Sequence, residues 1–257
     1  MTRLSHLLIV TSLVLLSACG TTTGERDSAD QLELNVYKGK AYMERNNPQM
    51  ALPSLRRVQE LDPNNVENLI LLGSAYFLLD RPIQAIATYQ RALELKPSGE
   101  VHNRLGMVYL RNEKMDDAIQ EFKLALADPL FATPEEPCYF LAMIEKKRKN
   151  TDAMVGWLNK ALQIKPDHPS SHLELAGYYH FKGQYELEQD HLNAILSVDA
   201  ENLPLLEKLA DSYKQSGDLV RYQSIRQKIK LLTEPAKPAG RMSSAPEKMD
   251  GMIHEKP

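Results

Sequence analysis

An all-α fold built from a repeated helix-turn-helix unit is predicted by three observations. Small and apolar residues recur from Leu32 onward with a period near 34 residues. Within each period Gly or Ala, an aromatic and a second Ala keep a fixed register. Proline closes the first four periods, at Pro63, Pro97, Pro129 and Pro166. Proline cannot extend a helix and pushes the residue before it out of the helical region, so each marks a stop.

A period of about 34 residues is the length of the tetratricopeptide repeat (TPR). The first unit carries Gly39, Tyr42, Ala51, Leu55, Val58 and Pro63. The second is the clearest, with Leu69, Leu72, Gly73, Tyr76, Ala85, Tyr89, Ala92 and Pro97. The third has Leu105, Gly106, Tyr109, Ala118, Phe122 and Ala125. The fourth is weaker, with Leu141, Ala142, Leu158, Ala161 and Pro166. The fifth has Leu175, Ala176, Tyr179, Leu192 and Ile195. The sixth has Leu209, Ala210, Tyr213, Tyr222 and Ile229, and lacks the closing Pro.

Gly or Ala at the eighth repeat position lets the two helices approach closely, and Ala at the twentieth does the same for the next contact. The aromatic at the eleventh fills the space between them. Asp62-Pro63-Asn64-Asn65 and Lys96-Pro97-Ser98-Gly99 are expected to stop one helix and cap the next. One unit cannot bury its own apolar face, so stacked neighbours make the core. The expectation is a right-handed superhelical solenoid of about six repeats over 31–233. The units lie near 32–65, 66–98, 99–131, 135–168, 169–202 and 203–233.

Ahead of the repeats stands a different kind of segment. Arg3 and the amino terminus precede an apolar stretch from Leu7 to Leu16, then Ser17-Ala18-Cys19. This is the layout of a secretory signal. The apolar run is about ten residues, against about 20 for a membrane-spanning helix. Small residues ahead of a Cys resemble the lipobox of bacterial lipoproteins, in which the thiol takes a diacylglycerol and the signal is cut in front of it. Residues 1–18 are thus expected to be removed, with Cys19 lipidated. The alternatives are a plain signal peptide and a transmembrane anchor. Each buried acyl CH₂ contributes about 0.8 kcal/mol, and two or three chains hold a protein stably. Residue 20 is Gly rather than Asp, which by the same resemblance implies the periplasmic face of the outer membrane. Residues 19–30 are small and polar, a tether reaching at most roughly 40 Å. Residues 234–257, rich in Pro, Ala, Ser, Lys and Glu, lack a periodic apolar set and are expected to be disordered.

The 257 residues are 43% apolar and 25% charged, ordinary for a folded protein. Loss of Arg3 with the signal moves the formal charge from −3 to −4. That balance argues against nucleic acid as a partner. Cys138, among Tyr139, Phe140 and Leu141, is expected to be a buried, inert thiol rather than a reactive or bridging one. No Gly-rich phosphate loop, Gly-x-Ser-x-Gly elbow or His-Glu-x-x-His motif is present. His168 and His172 are four apart, but Pro169 places them across a helix start and no third ligand is evident. No enzyme activity, metal, cofactor or small-molecule substrate is expected. Glu145-Lys146-Lys147-Arg148-Lys149 is expected to be a solvated helix end whose cations suit the helix dipole, with a patch for an acidic partner as the sharper alternative. Trp157 is expected to pack in a second helix.

In such solenoids the first helices line the concave face, through repeat positions 2, 5, 9 and 12. Those positions include Ile70, Phe77, Met107, Leu110, Tyr139 and Met143, with Lys40, Asn103 and Lys146 among them. The Lys/Asn pattern that grips a terminal carboxylate in chaperone-binding TPR domains is missing. An apolar lane suits an extended or helical apolar segment as ligand.

The junction Ala125-Leu126-Ala127-Asp128-Pro129-Leu130-Phe131-Ala132-Thr133-Pro134 is irregular. The third repeat closes one residue early, four from Ala125 to Pro129 against five from Ala92 to Pro97, and a longer link follows. With the lipobox and the six repeats, this segment resembles the type IV pilus pilotin family, the PilF/PilW/Tgl-type tetratricopeptide outer-membrane lipoproteins. The resemblance spans everything but the tail. It implies a non-enzymatic protein that binds subunits of the secretin, the outer-membrane channel of the pilus, and promotes their localisation and multimerisation. The alternative is a periplasmic TPR lipoprotein adaptor scaffolding another envelope complex, such as a protease, a cell-wall synthase or a secretion system.

Overall fold

The structure is a computed structural model that describes residues 28–234. The signal segment, Cys19, most of the tether and nearly all of the C-terminal tail lie outside the described residues. Twelve helices and no strand occur among the described residues. They are α1 (28–44), α2 (Pro48–Leu61), α3 (Val66–Leu78), α4 (Pro82–Leu95), α5 (Gly99–Arg111) and α6 (Met115–Ala127). Then follow α7 (Glu135–Lys147), α8 (Thr151–Ile164), α9 (Pro169–Phe181), α10 (Tyr185–Leu196), α11 (Leu203–Ser216) and α12 (Leu219–Thr233). Residues 28–30 belong to helix α1, where the sequence placed them in the tether.

The predicted stops sit where proline requires them. Asp62, Lys96, Asp128 and Lys165 cap α2, α4, α6 and α8, and each precedes a proline. Their ψ angles of 85, 104, 111 and 93° are all outside the helical region. Five starts are capped by short polar side chains that take an otherwise orphaned N–H. Asn47 accepts from Met50 N–H, Asn65 from Asn68, Asn150 from Ala153, Asn202 from Leu205 and Asp218 from Arg221.

Ser98, expected from the sequence to cap α5, makes no capping hydrogen bond through its side chain. The Gly99 N–H is taken instead by Asp128 Oδ2 at 2.7 Å, from the link after α6. The turn inside every unit has one left-handed residue: Asn46, Asp80, Glu113, Lys149, Gly183 and Gly217, with φ between 51 and 81°. A left-handed residue ends a helix by folding its last carbonyls back onto N–H groups beyond it.

The described residues fall into two compact units, 28–175 and 176–234. In the first, the small residues of each repeat do what their positions imply. Ala51, Ala85 and Ala118 are wholly buried, as are Leu55, Tyr89 and Phe122. A Cβ on Gly73 would lie 2.6 Å from the Tyr89 ring, so the contact of α3 with α4 exists only without one. One core joins Leu55, Leu72, Tyr76, Tyr89 and Leu105; another joins Phe122, Leu141 and Ile144. Phe122 and Phe140 stack with ring centroids 5.4 Å apart. In the second unit Ala176, Leu192, Leu206, Leu209, Tyr213 and Ile229 share a core. Gln189 Nε2 there donates to Ser216 Oγ at 3.1 Å.

Candidate partner-binding groove

Helices α3, α5 and α7 carry the residues that the repeat register assigns to the groove. Ile70, Phe77, Met107, Leu110, Tyr139 and Met143 are all half-buried, neither core nor free surface. Ile70 and Phe77 lean on the core of the first two repeats, and Met107 and Leu110 on the core around Phe122. Tyr139 sits edge-on to Phe140 and to His168, with centroids 5.6 and 5.7 Å apart. Burial holds its phenol above the usual tyrosine range.

Three cavities open along this stretch. One of about 410 Å³ is lined by Met43, Glu67, Ile70, Leu71, Leu78 and Arg104, among others. One of about 180 Å³ is lined by Ser74, Phe77, Leu78, Tyr89, Arg104 and Met107. The largest, about 640 Å³, lies between α5 and the 128–134 link. The structure therefore brings Ile70, Phe77 and Met107 onto adjoining cavities. Leu110, Tyr139 and Met143 line none of these three.

Arg104, which the positional rule passed over, borders all three cavities. Its Nε and Nη2 both donate to Glu100 Oε1, at 3.0 and 2.7 Å, and its Nη1 donates to Ser74 Oγ at 3.2 Å. Ser74 Oγ in turn lies 3.0 Å from the Tyr89 hydroxyl. Burial is the largest influence on that phenol and raises its pKa, against the hydrogen bond from Ser74 and the charge of Arg104. The only sequence sign of Arg104 was its i,i+4 spacing from Glu100. Arg111 also enters. Its guanidinium lies 3.7 Å from the Phe77 ring centroid, and its Nη1 donates to the Phe77 carbonyl at 2.8 Å. One face of Phe77 is thus covered by a cation, and the apolar lane is crossed by charge.

The other singled-out residues have local roles. Lys40 pairs with Glu67 at 3.5 Å, and Lys146 with Glu174. Lys147 reaches Glu113 at 3.2 Å, while Arg148 pairs with Asp116 and with Glu145. Lys146, Lys147 and Arg148 at the end of α7 are therefore engaged in ion pairs at the surface. Cys138 is wholly buried, and that burial raises its thiol pKa. Trp157 is half-buried against the Phe122 core with the Lys160 ammonium 5.1 Å from its ring. His168 Nδ1 is 2.8 Å from Ser171 Oγ, and His172 Nε2 donates to the Pro166 carbonyl at 2.8 Å. Both rings thus serve the start of α9. No cluster of three His, Cys, Asp or Glu able to hold a metal occurs among the described residues.

The tetratricopeptide-repeat family profile matches residues 38–100, 83–137 and 135–168. The type IV pilus assembly protein PilF of Pseudomonas aeruginosa is 26% identical over 189 residues, covering 68% of this chain and 74% of that one. The solved structure of P. aeruginosa PilF superposes with a TM-score of 0.67 at 20% identity, over 80% of this chain and 93% of that one. PilW, described as a widely conserved type IV pilus biogenesis factor, gives 0.63 at 21% identity, over 79% and 92%. The structural likeness speaks for the fold, and the sequence match for descent. The chain belongs to the tetratricopeptide-repeat proteins and is a homologue of the type IV pilus assembly protein PilF.

Proposed function

We propose that this chain is a type IV pilus biogenesis protein acting as a pilotin. It binds secretin subunits through the α3–α5–α7 groove and promotes their localisation and multimerisation at the outer membrane. The observation that carries this reading is the PilF match across three quarters of that protein's length. The groove supports it physically, because half-buried apolar side chains beside open cavities suit an apolar segment of a partner.

Cys19 is the proposed lipid site, which would hold the chain at the periplasmic face of the outer membrane. Tethering raises the effective concentration of a bound subunit at the bilayer, so each groove contact need not be tight. The role is non-enzymatic: the protein holds a partner in place and transforms no substrate. Direct binding tests the groove. The full chain in detergent should capture purified secretin, and Phe77→Asp with Met107→Asp should weaken capture at least tenfold while unfolding stays cooperative. Equal capture by the double variant would rule the groove out. Collapse of the fold would show that these two residues are core.

A further inference from the structure

We infer that the cavity between α5 and the 128–134 link recognises an extended polypeptide segment bearing an apolar side chain flanked by a cation. The inference rests on the partner-groove reading and assigns this stretch of the groove its own ligand chemistry. At about 640 Å³ the cavity has the size of a ligand pocket. It is also built in advance. Asp128 Oδ2 accepts from Gly99 N–H at 2.7 Å, and its Oδ1 accepts from Leu130 N–H at 2.9 Å. Phe131 rests on Gly99, where a Cβ would lie 2.7 Å from the Phe131 Cβ. The link is thus fixed against α5 before anything enters, which spares a ligand the entropy of ordering it.

Asn103 carries the inference. It is only 9% exposed and lines the cavity, yet its carboxamide oxygen has no hydrogen-bond partner among the described residues. A buried amide oxygen without a partner is costly, so it gains from any donor that reaches it. Rotation of the carboxamide would bring that oxygen to the cavity, where an acceptor oxygen and two N–H donors complement a peptide group's N–H and C=O. Beside it, half-buried Met107 and Leu130, which is 90% exposed, supply an apolar seat at the rim.

The charges orient the ligand. Arg104 is held by Glu100, and Asp128 already accepts one N–H on each oxygen. Glu136 remains, with a side chain 40% exposed and the His168 ring Nε2 4.0 Å away. Lys96, also in the lining, makes no ion pair among the described residues. A segment with its cation toward Glu136 and a carboxylate toward Lys96 satisfies both.

The test uses the full chain in detergent and a displayed library of random twelve-residue peptides. Selection should return peptides with an apolar residue next to Lys or Arg. Asn103→Leu should bind them at least tenfold more weakly and melt no lower than the wild type, because it removes an unpartnered amide oxygen. Leu130→Ser should weaken binding as well. Three outcomes overturn the inference: no peptide is selected, Asn103→Leu binds equally well, or Asn103→Leu melts several degrees lower. Peptides that bind only after deletion of residues 235–257 would also overturn it, by making the chain's own tail the occupant. Secretin segments tiled as peptides separate the two readings. Asn103-dependent binding that no secretin peptide competes with leaves the pocket standing and removes the secretin. Secretin capture that ignores Asn103→Leu does the reverse.

Discussion

Gly73 shows what a single residue does in this fold. Its missing Cβ admits the Tyr89 ring, which would otherwise stand 2.6 to 2.9 Å away. Gly73→Ala is therefore expected to cost about 1–3 kcal/mol by overpacking. Gly156 is the contrast. It lies inside α8 with nothing within 4 Å of the place a Cβ would take, so Gly156→Ala should gain about 0.5–1 kcal/mol from lost chain entropy. Urea midpoints of the two variants check the opposite signs, and a shift in the same direction would contradict the packing account. The Gly73–Tyr89 contact was legible because both residues recur in register with their neighbours. The Asp128–Gly99 bond was not. Its partners are 29 residues apart, and a cap rule applied locally points to Ser98 instead.

Between elements, the closing prolines were legible and the turns were not. The left-handed turn residue is Asn, Asp, Glu, Lys and then Gly twice, so no one residue type marks all six turns. The α8–α9 link has a further property. His168 is 5% exposed, and burial lowers its pKa below the usual histidine value, against the charges of Glu136 and Glu135. Lys165 and His172 add to the lowering, while Ser171 hydrogen-bonds the ring and Tyr139 packs edge-on to it. Below about pH 6.5 the unfolded chain takes up a proton that the folded ring resists. Stability contributed at this site is thus complete above that pH and falls as pH drops toward the folded pKa, by up to about 1.4 kcal/mol per pH unit. The stability difference between wild type and His168→Gln, followed by urea unfolding from pH 8 to 5.5, should change with pH in that sense. A pH-independent difference would contradict it.

At the scale of the whole molecule, the repeat number and the all-α class were legible because a 34-residue period is a global signal that local errors do not erase. The lining of the cavities was legible in part. Positional rules brought out Ile70, Phe77 and Met107, which meet on adjoining cavities, but missed Arg104, a polar residue one position beyond those the rule covers. The proposed anchor is separable from the fold, since Cys19 precedes the first described helix by several residues. Cys19→Ala should move the chain from the membrane to the soluble fraction while its melting temperature stays unchanged. An unaltered membrane fraction would remove the lipid from the account. The central claim is tested most directly by secretin assembly in a strain lacking this chain, read as heat-stable multimer against monomer in outer-membrane fractions. The account predicts that the multimer is lost and returns on complementation; normal multimers in the deletion strain would contradict it.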